Sequence, residues 1–333
     1  MNTNMIPLTS TEFGNLWMTY QEKTMLLRLL EHFLEHADEE TRTVFQKAYD
    51  QSEQTAAAIR DLFRAEGAVI PHGFTEKDVY NGAPKLFDYQ YDLMFMHMMS
   101  KIETNLFAVY STMSYRSDIR QFFNKATAQS LESFNACTEL LLERGVLARS
   151  PYMSLPKEVH YIVNHDYLNG NSLFKEKRAL NAIEISLIHH AIETNLTGMQ
   201  LMIGFAQVAD HPEVRQYFIT GMELSKHVET TLGEYLRDDF IEPPATHAGK
   251  ATASRVAPFS DKLMLYLTNL LTAFGLGSNA LGGAFSLRSD LPVTMALLAR
   301  KIVPFLKEGG QLMIKHGWME EPPHVEDRRQ LTR

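Results

Sequence analysis

The chain holds a single cysteine, Cys137, in 333 residues, so an intramolecular disulfide is excluded and the residue is expected as a buried apolar side chain of a helix. No Glu-x-x-His occurs within a helical pattern, which removes the strongest signature of a di-metal carboxylate centre. A nucleophile elbow and a phosphate-binding glycine loop are lacking too; the Gly-x-Gly at 275–277 falls within a helical pattern rather than after a strand. No alternating strand pattern of useful length is found. The start, MNTNMIPLTSTEF, has neither the basic region nor the apolar run of a signal peptide, which implies a cytoplasmic location. The net charge of −8 comes with scattered Lys and Arg, so nucleic acid finds no footprint.

What the chain does have is repetition. Phe87, Leu93, Ala108, Arg116, Ser117, Asp118, Leu140, Gly145 and Pro151 recur at one constant offset, without a gap, as Phe259, Leu265, Ala280, Arg288, Ser289, Asp290, Leu312, Gly317 and Pro323. The repeat divides again. Arg42 to Gly67, Arg120 to Gly145 and Pro292 to Gly317 are equal in length, and Arg215 to Asp239 is one place shorter, with Asp239 standing where the others carry glycine. Four helix hairpins follow, grouped two and two.

Apolar residues at Leu16, Tyr20, Leu27, Leu30 and Leu34, then at Val44, Phe45, Ala48, Ile59, Leu62 and Phe63, have helical spacing. Ser10 or Thr11 caps the first helix, and Gly67 with Pro71 stops the second. The later helices are expected over 88–113, 117–144, 173–208, 212–238, 260–286 and 290–316. Turns within hairpins are short, at His36–Asp38, Tyr115–Ser117 and Asp210–Pro212, whereas 68–87 and 241–259 are long. Two antiparallel hairpins joined by one long crossover is the ferritin-like arrangement. The expected fold is therefore all-α, two tandem ferritin-like four-helix bundles over 8–168 and 173–331. The connector 146–171, with Tyr152, Tyr161, Ile162, Val163 and Tyr167, is too apolar for a free linker and is expected to pack.

The ending of the second copy, DKLMLYLTNLLTAFGLG followed by GWMEEPPHVEDR, together with the fourfold hairpin pattern, resembles an uncharacterised ferritin-like family of endospore-forming bacteria. That family is a domain of unknown function, often in tandem copies, similar to spore coat protein F. The resemblance implies the same fold and an association with spores, and no activity. Its motifs, Gly317, Pro322 and Pro323, stop a helix and do no chemistry.

Weaker metal-ligand constellations remain. His190 and Glu193 are three apart, Glu223 and His227 four apart, and Glu193 and His227 lie at equal distance from the turn at Asp210. Such a set would suit iron, manganese or zinc. The first copy offers Glu22, Asp50, Glu53, His97, Glu103 and Glu132. Glu103 lies in the string IETNL, which recurs around Glu193, so it is the glutamate most worth following; its bland reading is a hydrogen bond between helices. Across the repeat offset Glu103 faces Gly275 and Glu132 faces Pro304, so any chemistry is confined to one copy.

Met94, Met96, Met98 and Met99 read as core packing rather than a soft-metal box. The stretch Leu263 to Leu287 carries no charge but is broken by Thr268, Asn269, Thr272, Ser278 and Asn279, and reads as a buried helix rather than a membrane span. The sequence thus points to a non-enzymatic structural or interaction protein that requires no cofactor and works through a protein partner or self-association. The alternative is a metal-binding ferritin-like protein or metal-dependent oxidoreductase.

Overall fold

The computed structural model describes residues 6–170, 177–245 and 250–332, and among them no β-strand is formed. The helices are α1 (Ser10–His36), α2 (Glu39–Ala65), α3 (Tyr89–Thr112), α4 (Ser117–Glu143), α5 (Ala182–Val208), α6 (Pro212–Asp238), α7 (Asp261–Phe285), α8 (Asp290–Lys315) and the single turn α9 (Arg328–Leu331). The first eight make four antiparallel hairpins, two in each copy, with the long crossovers between α2 and α3 and between α6 and α7.

Local chemistry sets the ends. Thr9, not Ser10 or Thr11, caps α1: its hydroxyl accepts the Glu12 N–H, and the Glu12 carboxylate accepts the Thr9 N–H. Asn181 and Glu184 form the same box, so α5 begins at Ala182 rather than at 173; positions 173–176 lie outside the described residues. Gly67, Gly145 and Gly317 end their helices at φ +66°, +66° and +68°, where a side chain is strained. In the third hairpin that position belongs to Phe240, at φ 59°, and not to Asp239. The turn Ala209–His211 is one residue longer than Ala37–Asp38, which moves α6 one place along; Arg215 to Phe240 then equals the matching stretch of the other hairpins. The recurring arginine has a task as well. Arg42 donates to the Ala37 carbonyl (3.1 Å), Arg215 to that of Ala209 (2.5 Å) and Arg120 to that of Tyr115, each tying down the turn before it.

Two compact units are present. The first comprises Met1–Gly82, Met96–Cys137 and Ile314–Arg333, the second Ala83–Phe95 and Thr138–Met313. The core of the first draws on all four of its helices: Leu16, Trp17 and Tyr20 from α1, Ile59 and Phe63 from α2, Phe107 and Tyr110 from α3, Ile119 and Phe123 from α4. Glu320 belongs to this unit and accepts the N–H groups of His72 and Gly73 (both 3.0 Å) and the Gln21 amide (2.9 Å). The second core joins Ile188 and Ile192 of α5, Val228, Leu232 and Leu236 of α6, and Leu291, Met295 and Leu298 of α8, with Leu276 of α7 against them.

The connector departs from expectation. Tyr152, Leu155, Val159, Tyr161, Ile162 and Val163 are exposed, Tyr152 at 88% and Val163 at 94%. Its end is held: the Leu168 carbonyl accepts the Ser289 N–H, the Ser289 hydroxyl accepts that of Gly170, and Tyr167 lies under the Arg178 guanidinium. Prolines and the lack of a helical or alternating period leave the rest no surface to bury against itself. Met96, Met98 and Met99 are buried, as is Cys137, whose thiol burial pushes up to about 12. Among the described residues no helix is long and apolar enough to cross a membrane, α7 included.

Candidate functional site at the centre of the first unit

The middle of the first unit carries a cluster of charge. Lys23 of α1 and Glu103 of α3 form an ion pair at 2.6 Å with both side chains buried, and the Ser130 hydroxyl of α4 donates to the other oxygen of Glu103 (3.0 Å). The Lys23 ammonium also lies 5.2 Å from the centre of the Phe107 ring. Glu22, beside Lys23 in sequence and equally buried, adds a second carboxyl. Burial pushes its pKa up to about 8, the charge of Glu103 adds to this, and Lys23 works against it. Glu22 is thereby biased toward its neutral form at neutral pH. A cavity with room for about one water molecule lies against Lys23, Glu103 and Ser130, walled by Ser52, Ser100 and Ser133.

This is where a metal centre of a ferritin-like bundle would be built, from carboxylates and histidines of facing helices. The donor set does not fit one. Among the described residues no histidine is bonded to Glu22 or Glu103, and the oxygens of Glu103 already accept from the Lys23 ammonium and the Ser130 hydroxyl.

The other acidic residues of this copy stand outside the cluster. Glu132 pairs with Lys47 on the surface (2.5 Å), Glu53 with Arg60 (2.8 Å), and Asp50 accepts from Gln46. His97 is stacked on Phe134, ring centres 4.5 Å apart. The one Glu-x-x-His of the chain, Glu321 to His324, straddles Pro322 and Pro323 in the exposed segment after α8 and belongs to no helix. In the second unit His190 and Glu193 approach to 4.0 Å, while Glu223 and His227 lie exposed on α6 and Lys301 donates to the His227 ring (2.8 Å). The four do not gather into one ligand group. Glu193 and Glu103 share the string IETNL but not a place: in the frame of the repeat Glu193 stands at the position of Gln21.

The repeat frame also shows what the second unit puts at its centre. Thr194, Asn195, Gly275 and Ile302 take the places of Glu22, Lys23, Glu103 and Ser130. Thr194 and Asn195 bond back to carbonyls of their own helix, and α6 and α7 are joined by a contact from Tyr217 to Asn269 (2.9 Å), with Tyr217 stacked on Phe305 at 4.1 Å. One buried carboxylate persists near the start of α3: Asp92, 3.2 Å from Lys85, is pushed up to about 7 by burial against the opposing charge of Lys85.

The sequence profile of the family described as "Protein of unknown function (DUF3231)" matches residues 1–159 and again 168–331. No curated protein matches the chain. A solved structure described as a candidate spore coat protein of Bacillus halodurans C-125 is similar over 45% of this chain and 98% of its own, with 18% identity and a TM-score of 0.43.

Proposed function

The chain belongs to the DUF3231 family, and from the chemistry of its centre we propose that it is a non-enzymatic structural or interaction protein, a helical scaffold used twice. The observation that carries this is the Lys23–Glu103 pair. A bundle that binds a reactive ion keeps a set of donors aimed at a vacant position, whereas here the Glu103 carboxylate is already engaged by the bundle's own ammonium, beside space for about one water. At the four matching positions the second unit carries Thr194, Asn195, Gly275 and Ile302, none of them ionisable. An association with spores is the part of the proposal that rests on the sequence resemblance alone.

Oxygen uptake during incubation with ferrous iron tests the reading. Uptake equal to that of buffer is expected; turnover that disappears in Glu103→Gln would make the protein an oxidoreductase. For the spore association, the chain should be recovered with the coat fraction of sporulating cells, and recovery only from vegetative cells would remove that part.

A further inference from the structure

The last turn of α1 reads His32-Phe33-Leu34-Glu35-His36. This is a histidine, glutamate and histidine in the reverse of the Glu-x-x-His order. On a helix, residues four apart share a face and residues three apart nearly do, so all three polar side chains can meet. They do: one ligand atom from each of His32, Glu35 and His36 lies within 4.8 Å of the other two, and among the described residues no other group of three or more His, Cys, Asp or Glu side chains is so placed. The two imidazoles stand edge to face, ring centres 4.9 Å apart. His32 is 3% exposed, His36 half-buried and Glu35 exposed, so the group opens from the core to solvent.

Its surroundings favour a cation. The group sits at the carboxyl end of α1, where the helix carbonyls present negative potential. Arg28, one turn earlier, is neutralised by Glu31 at 2.7 Å. The Gly82 N–H donates to one oxygen of Glu35 (3.1 Å), an outer contact of the kind that orients metal-ligating carboxylates. Packing of rings alone would account for His32 against Phe33 and His36, yet it does not call for a carboxylate held in the same place.

The internal repeat gives an independent argument. Phe33 recurs as Phe205, so the apolar residue of the string is kept for the core. The polar ones are not: Gly204, Gln207 and Val208 stand for His32, Glu35 and His36. The fold therefore does not require them.

We propose that His32, Glu35 and His36 form a binding site for a divalent transition metal ion, zinc first. Two neutral imidazole nitrogens and one carboxylate oxygen make a borderline donor set that suits zinc better than magnesium or calcium. In the inverted zinc peptidases the same spacing supplies the two histidine ligands of zinc; only ion binding is inferred here. The site lies about two and a half turns along α1 from Lys23 and shares no residue with the charge cluster, and the scaffold reading neither needs it nor fails with it.

Titration of the untagged full chain with zinc, and with cobalt for its visible spectrum, tests the proposal. One equivalent of zinc is expected, with a cobalt band typical of nitrogen and oxygen ligation. His36→Ala and Glu35→Gln, both on the solvent side, should keep the helical circular dichroism and weaken binding by roughly tenfold or more. Zinc should raise the melting temperature of the wild type and not that of His36→Ala. Should His36→Ala not fold, Glu35→Gln carries the comparison. No binding by the wild type, affinity unchanged in the variants, or loss of the ion with His227→Ala instead would each overturn the proposal.

Discussion

Glu12 and Glu184, equivalent positions of the two copies, share a set of bonds, to which Glu184 adds an ion pair with Arg178 (2.8 Å). Besides closing its capping box, each accepts two backbone N–H groups from the turn between the third and fourth helices of its copy: Tyr115 and Arg116 on Glu12 (2.8 and 2.7 Å), Leu287 and Arg288 on Glu184 (3.2 and 3.0 Å). The arginine of each turn then pairs with the aspartate two places on and donates to a carbonyl before the first helix, Ile6 in one copy and Arg178 in the other. This fastening explains why Arg-Ser-Asp recurs at 116–118 and 288–290.

Loss of either glutamate should loosen its own unit. Burial opposes ionisation of both, but the donors converging on them prevail and hold each carboxyl below the ordinary carboxylate range. Glu12→Ala or Glu184→Ala removes a cap and leaves buried N–H groups without an acceptor, a cost of about 2 to 3 kcal/mol in urea unfolding. Because the folded values are depressed, this stabilisation is present above pH 4.5 and is lost as the pH falls through the folded values.

Lys23→Met strands the Glu103 carboxylate inside the first unit. We expect a loss of about 3 to 5 kcal/mol, with much of it recovered in the double variant Lys23→Met/Glu103→Gln. A double-mutant cycle by chemical denaturation measures the coupling; additive losses would show that the pair does not act as one.

Glu22 gives a pH dependence of the opposite sign to Glu12. Its carboxyl ionises near 4.5 in the unfolded chain and near 8 in the folded one, so between these values the folded state binds a proton that the unfolded state has released. Stability should fall as the pH rises from 4.5 to 8. Glu22→Gln should flatten that slope and stabilise the protein by about 2 kcal/mol at pH 9. Asp92, raised to about 7, and Glu31, also raised by burial, contribute to the slope left over.

Phe240→Gly should stabilise the second unit by about 1 kcal/mol in the same assay. Its φ of 59° is strained for a side chain, and the ring is 99% exposed, so no packing is lost. Gly67→Ala, with φ +66° and open space around it, should cost a similar amount in the first unit.

The hairpins were legible because their signals are local: helical periodicity, stop glycines, short turns and a single register that lays one copy on the other. Thr9-x-x-Glu12 was equally local, and reads as a capping box once Thr9 is preferred to its neighbours, but its bond to Arg116 crosses 104 residues and leaves no pattern. Spacing alone does not tell Glu103, inside, from Glu132, outside. It tells still less that Lys23 is buried, since lysine is ordinarily a surface residue. His32, Glu35 and His36 carry no Glu-x-x-His signal because their order is reversed, and the apolar composition of the connector says what would favour burial and not whether a partner surface is at hand.

Glu320 imposes an order on assembly during synthesis. It holds the backbone at His72 and Gly73 and the side chain of Gln21, all within the first unit, yet a ribosome makes it 247 residues after Gly73. Helices α1 to α4 can gather early, but that unit is not finished until most of the second copy has been translated. A fragment cut at the repeat boundary would lack the residue that fastens the loop after α2.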